Sequence, residues 1–125
     1  MMLNPVETAL APAAVGPYSQ GIALDNLVFS SGQLPMNPET KTMPADIAEQ
    51  ARQSLSNVKA VLEAAGSGMD KVVKVNIFLT NMADFARVNE VYAQFFKLPF
   101  PARSCVAVTA LPLGAGLEIE AVAMK

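Results

Sequence analysis

The chain has no histidine and no tryptophan, and one cysteine, Cys105, among its 125 residues. Without histidine there is no Ser-His-Asp or Cys-His catalysis, no imidazole metal ligand, and no imidazole acid–base pair of the kind ribonucleases use. A lone cysteine forbids an internal disulfide and excludes a multi-cysteine metal site. Charge is scarce too: charged residues are 16% of the chain, with 9 basic against 11 acidic and a net charge of -2. Such a balance does not gather nucleic-acid backbones over a large surface. No apolar run reaches the ~20 residues of a membrane span. Met1-Met2-Leu3-Asn4-Pro5 has no positive region of the signal-peptide kind. The chain therefore reads as cytoplasmic, with neither nucleic acid nor membrane as a partner. Chemistry is left to carboxylates, arginine, lysine, tyrosine, backbone amides and water.

Apolar residues are abundant, at 52%. A chain of this length is expected to form one domain, residues 1–125, burying roughly two-thirds of its unfolded surface. An apolar excess of this size points to surface hidden by association as well as in a core.

Charge is scarcest between Leu98 and Leu117, where Arg103 is the one charged residue. A guanidinium keeps its charge in a protein, and burying it unpaired costs several kcal/mol. Arg103 must therefore meet an anion, either the protein's own or one that arrives with a ligand. The next charges along the chain are Glu118 and Glu120.

Asp46-Ile47-Ala48-Glu49 has the form of a capping box. Ile47, Ala51, Leu55, Val58, Leu62 and Ala65 follow at helical spacing, and Gly66 suits a left-handed stop. These predict a helix from about Ala45 to Ala65. A second is predicted from about Met82 to Phe96, with Phe85, Val88, Tyr92 and Phe95 on one stripe. Ile22–Leu24 and Leu27–Ser31 read as a hairpin across Asp25-Asn26. Val72–Leu79 reads as a strand with Val73, Val75, Ile77 and Leu79 on one face. Arg103–Val108 and Leu117–Met124 complete the set. The order predicts an α+β fold, a mostly antiparallel sheet with two helices on one face. Glu118 and Glu120 then point to the face without helices, which must be solvated or packed on another subunit.

Each candidate site has a plainer structural reading beside it. Arg103 and Glu118 form either an ion pair between strands or a receptor for a substrate carboxylate, with the glutamate orienting a water. Tyr18, in Gly16-Pro17-Tyr18-Ser19-Gln20, is either packed behind a rigid turn or presented over a pocket. Ser31 and Gly32 are either a strand end or a close approach of hydroxyl and backbone to a ligand. Cys105 reads as a small buried residue, since no base is present to activate it. Its backbone amide is of more interest than its sulfur.

Taken together, several segments resemble the reactive-intermediate deaminase family, RidA, also called YjgF. They are Gly16-Pro17-Tyr18-Ser19-Gln20-Gly21, Ser31-Gly32-Gln33, Gln50 to Val58, Phe100-Pro101-Ala102-Arg103-Ser104-Cys105-Val106, and Glu118-Ile119-Glu120-Ala121-Val122-Ala123. The resemblance implies a chorismate-mutase-like fold of the bacillus type, assembled as a homotrimer with three sites between subunits. It implies hydrolysis of 2-imino acids and their enamine tautomers, such as 2-aminoacrylate and 2-iminobutyrate, to 2-oxo acids and ammonia, with no metal and no cofactor. By motif, Arg103 would hold the substrate carboxylate and Glu118 would orient or activate water. Tyr18, Ser31 and Gly32 would shape the pocket, the Cys105 amide would hold one end of the ligand, and Asn89 would lie near it. Two departures stand out: a short connection, Lys97-Leu98-Pro99, and a Leu113-Gly114-Ala115-Gly116 turn without a basic residue. Other readings are a regulatory protein that binds 2-oxo acids without turnover, a ribonuclease or translation inhibitor, and a holdase exposing methionines.

Overall fold

The structure, a computed structural model, describes residues 2–125. Its strands are β1 (Asn4–Val6), β2 (Gly21–Leu24), β3 (Leu27–Ser30), β4 (Val72–Leu79), β5 (Ala102–Ala107) and β6 (Leu117–Met124). Helix α1 (Ile47–Ala64) lies between β3 and β4, and α2 (Phe85–Phe95) lies between β4 and β5. One sheet holds all six strands in the order β1-β2-β3-β6-β4-β5. Every pairing is antiparallel except β4 with β5, the two strands that α2 connects. Among the described residues no helix is long and apolar enough to cross a membrane.

Helix α1 starts where the capping signal places it: the Asp46 carboxylate accepts from the Glu49 amide at 3.1 Å. Only half of the expected box forms. Glu49 turns to Arg52 instead, at 3.6 Å, because an exposed carboxylate finds a cation one turn on as readily as a backbone amide. Gly66, with φ of 85°, turns the chain, and the Ser67 amide closes on the Leu62 carbonyl at 2.9 Å. The buried stripe carries three polar residues, Gln50, Ser54 and Asn57. Ser54 donates to the Gln33 carbonyl at 2.7 Å, and Asn57 donates to Leu34 and Met36 carbonyls at 3.0 and 2.9 Å. They pin the segment after β3 onto the helix, and so hold Gly32 in place.

Three elements differ from the sequence reading. The second helix opens as a 3₁₀ turn over Met82–Asp84, capped by Asn81, and becomes α-helical only at Phe85. Val73 does not share a face with Val75, Ile77 and Leu79. A bulge leaves it between the pairs Val72–Ala123 and Lys74–Val122, 42% exposed, while the other three are buried. Strand β1 was not foreseen, because Asn4-Pro5-Val6 has no alternating pattern. Its pairing with β2 is decided by the sheet edge it meets.

The core lies between the helices and the face built from Val28, Val75, Ile77, Leu79, Leu117, Ile119, Ala121 and Ala123. The opposite face carries Phe29, Phe78, Val106 and Val122 along with Glu118 and Glu120, and neither helix among the described residues covers it.

Candidate active site

Strand β5 is an edge strand, and its register decides where Arg103 goes. Arg103 pairs with Val75 and Cys105 with Ile77, so both side chains rise on the helix face, at its margin. There Arg103 donates to the Asn89 Oδ1 at 2.8 Å. Its guanidinium carbon lies 4.7 Å from the centre of the Tyr92 ring and 5.6 Å from that of Phe85. With Asn89, Tyr92, Ala93, Phe100 and Pro101 it lines a cavity of about 280 Å³.

Glu118 sits on the other face. It pairs with Phe78, next to the Asn76–Glu120 pair, and Asn76 donates to Glu120 at 3.0 Å. Burial pushes the Glu118 carboxyl above the usual carboxylate range, and the Glu120 charge adds to the rise. Arg103 and Glu118 therefore do not form the ion pair that was one reading of them. Strand β4 separates their strands, and the pleat sends them to opposite sides. Among the described residues Arg103 meets no carboxylate of its own chain.

Gly32 lies directly against Glu118. A Cβ on Gly32 would stand 2.8 Å from the Glu118 carboxyl carbon and 2.9 Å from one of its oxygens. The conflict is with the end of a flexible side chain, so Gly32→Ala is expected to leave melting temperature nearly unchanged while displacing the carboxyl. Turnover should fall about tenfold or more, since catalytic groups tolerate little misplacement. A thermal melt beside a rate measurement checks both halves.

Ser31 donates its hydroxyl to the Ser19 carbonyl at 2.6 Å, and its amide bonds the Gln20 carbonyl. Its hydroxyl hydrogen is thus engaged in holding the loop that carries Tyr18. Tyr18 is 51% exposed and lines a cleft of about 110 Å³ with Gly32, Gln33 and Leu113. Gln20, which the sequence reading passed over, anchors this loop from a buried position. Its amide meets Thr8 twice, Ala11 and Pro12. A glutamine ending a Gly-Pro-Tyr-Ser turn was the available signal. Cys105 is half-buried; burial raises its thiol pKa, and the Arg103 charge only partly offsets this. It stays a neutral thiol, as a structural residue would. Among the described residues no group of histidine, cysteine and carboxylate side chains converges as a metal site would require.

Two candidate groups thus lie on one chain: an arginine seated in aromatic rings on the helix side, and a carboxylate beside a glycine on the other side. The fold is a small α+β one, a single six-stranded sheet whose edge strand carries an arginine that meets no carboxylate among the described residues. The chain belongs to the YjgF/RidA family, whose model, described as Endoribonuclease L-PSP, matches residues 8–125. It is 50% identical to the 2-iminobutanoate/2-iminopropanoate deaminase of Escherichia coli strain K12, over 99% of each chain. The crystal structure of E. coli TdcF with bound serine superposes with a TM-score of 0.95 at 49% identity, covering 98% of each chain. That of the E. coli YjgF gene product gives 0.94 at 50% identity, again over 98% of each.

Proposed function

We propose that this chain is a cofactor-independent 2-iminobutanoate/2-iminopropanoate deaminase acting in the cytoplasm. It hydrolyses 2-imino acids and their enamine tautomers to 2-oxo acids and ammonia. The observation that carries this reading is Arg103: a half-buried guanidinium held by one amide oxygen, with no carboxylate among the described residues to neutralise it. A substrate carboxylate is the complement that two parallel N–H donors match. The relative with bound serine supports a small, carboxylate-bearing ligand.

The complete site is intermolecular. Arg103 and Glu118 occupy opposite faces of one sheet, so one ligand reaches both only if two chains contribute. The bare face, with Phe29 39% and Val106 47% exposed, supports packing against further copies, in a homotrimer of the chorismate-mutase-like type. In each cleft Arg103 of one subunit holds the carboxylate, assisted by the Cys105 amide. Glu118, Gly32 and Tyr18 of the next subunit close over the imine carbon.

The chemistry needs few groups. An imine carbon is already electrophilic. Water placed about 3 Å away adds to it, and Glu118 takes a proton from that water. The C=N double bond becomes a single bond as the C–O bond forms, giving a carbinolamine. Glu118 returns that proton to nitrogen to complete the carbinolamine; it then takes the hydroxyl proton as C=O forms and delivers it to nitrogen as the C–N bond breaks, so ammonia leaves and the carboxylate is restored. A carboxylate whose pKa is raised above the usual range suits both halves of this exchange.

The test generates 2-iminobutyrate with a threonine dehydratase, in a buffer that slows spontaneous hydrolysis, and follows 2-oxobutyrate. Clear acceleration by this protein is expected, together with a solution mass of three chains. No acceleration despite 2-oxobutyrate binding would replace the enzyme with a regulatory ligand-binding protein.

A further inference from the structure

Phe85, Asn89 and Tyr92 stand at i, i+4 and i+7 of α2, which places them on one side of the helix. From sequence, Phe85 and Tyr92 belong to a core stripe. In the fold, Arg103 rises from β5 into that stripe. Its guanidinium carbon lies over both rings, at 5.6 and 4.7 Å, while one terminal nitrogen donates to Asn89 at 2.8 Å. Tyr92 is backed in turn by Phe96, with ring centres 4.5 Å apart. Tyr92 is only 6% exposed, yet its hydroxyl finds no partner among the described residues. A buried tyrosine whose hydroxyl is unspent is held for its ring, and the Arg103 guanidinium lies over that ring.

Resting on the reading of Arg103 as the carboxylate receptor, we infer that Phe85, Asn89 and Tyr92 are positioning residues that seat its guanidinium. The ring faces attract the flat cation and fix its plane. Asn89 takes one of its five N–H donors and sets its rotation in that plane. The donors left over face a ligand carboxylate from a prepaid orientation, so less freedom is lost when it binds. Asn89 thereby acts through Arg103, where motif resemblance would put it against the ligand.

The experiment measures the affinity of the assembled, full-length protein for 2-oxobutyrate by calorimetry, with kcat and KM for 2-iminobutyrate generated in situ. Tyr92→Leu is expected to weaken 2-oxobutyrate binding about tenfold, the size of a partly desolvated cation–π contact. KM should rise by a similar factor, with kcat within about threefold. Tyr92→Phe should recover most of that loss, because the ring remains. Should Tyr92→Leu fold poorly, Phe85→Leu at a 37% exposed position provides the second reading, with a loss of about two- to threefold expected for the longer contact. Wild-type affinity in Tyr92→Leu and Phe85→Leu overturns the seat. So does a Tyr92→Phe protein that loses as much as Tyr92→Leu, since the hydroxyl and not the ring would then matter. Wild-type protein that neither binds 2-oxobutyrate nor turns over 2-iminobutyrate overturns the deaminase reading, and the seat with it.

Discussion

Arg103→Ala is expected to abolish turnover, with kcat/KM reduced at least about a thousandfold, while the protein stays folded. The size follows from what is removed. A charge-assisted, two-pronged contact in a cleft shielded from water is worth several kcal/mol, and each 1.36 kcal/mol is a factor of ten in rate. The tolerance follows from where it sits. Arg103 is half-buried on an edge strand and has no carboxylate of its own chain among the described residues, so truncation strands no buried anion. Arg103→Lys should recover little, because an ammonium offers a point charge without the paired donors and stacks poorly on Tyr92. Steady-state rates, beside circular dichroism and a thermal melt, decide the matter. Near-normal turnover in a folded Arg103→Ala protein would remove the carboxylate receptor from the mechanism.

Glu118→Gln should slow turnover by about a hundred- to ten-thousandfold, the usual range for losing a general acid–base group, while 2-oxobutyrate still binds. The pH dependence separates this from a structural defect. Burial, and then the Glu120 charge, raise the Glu118 pKa. A base must be deprotonated, so the wild-type rate should fall as pH drops through that raised pKa. The acidic limb then lies above the ordinary glutamate range, and Glu118→Gln should flatten it. Stability runs the other way. A carboxyl whose folded pKa is raised stabilises the fold while protonated, below its unfolded pKa. That contribution is lost as pH rises through the folded value. At neutral pH the charged form is therefore a burden on the fold, and Glu118→Gln should melt no lower than wild type. A variant at least as stable and far slower marks a catalytic carboxylate; loss of all 2-oxobutyrate binding would mark a structural one.

Much of the scaffold was legible because it is written in local patterns. The capping aspartate, the apolar spacing of α1 and the Gly66 stop each depend on neighbours within a turn or two, so they can be read without knowing any long-range contact. The alternation in Leu117–Met124 sorts Glu118 and Glu120 from Leu117, Ile119 and Ala121 by the same local rule, and the sheet keeps that sorting. The family, too, could be read from short motifs in order.

The chemistry available is already written in the order of residues: no imidazole, a lone arginine in an apolar stretch, and a glutamate on the uncovered face of its strand. Which of these groups meet was settled only when the sheet assembled. Register and strand order put Arg103 against α2 and Glu118 on the far side of the sheet, ruling out their ion pair within one chain. A bulge turned Val73 outward, Phe85 came to lie outside the core, and Tyr92, still part of the core, packs under a charge. Those outcomes depend on pairings between residues far apart along the chain. Their energy exists only once the sheet has closed, so no window of sequence carries it.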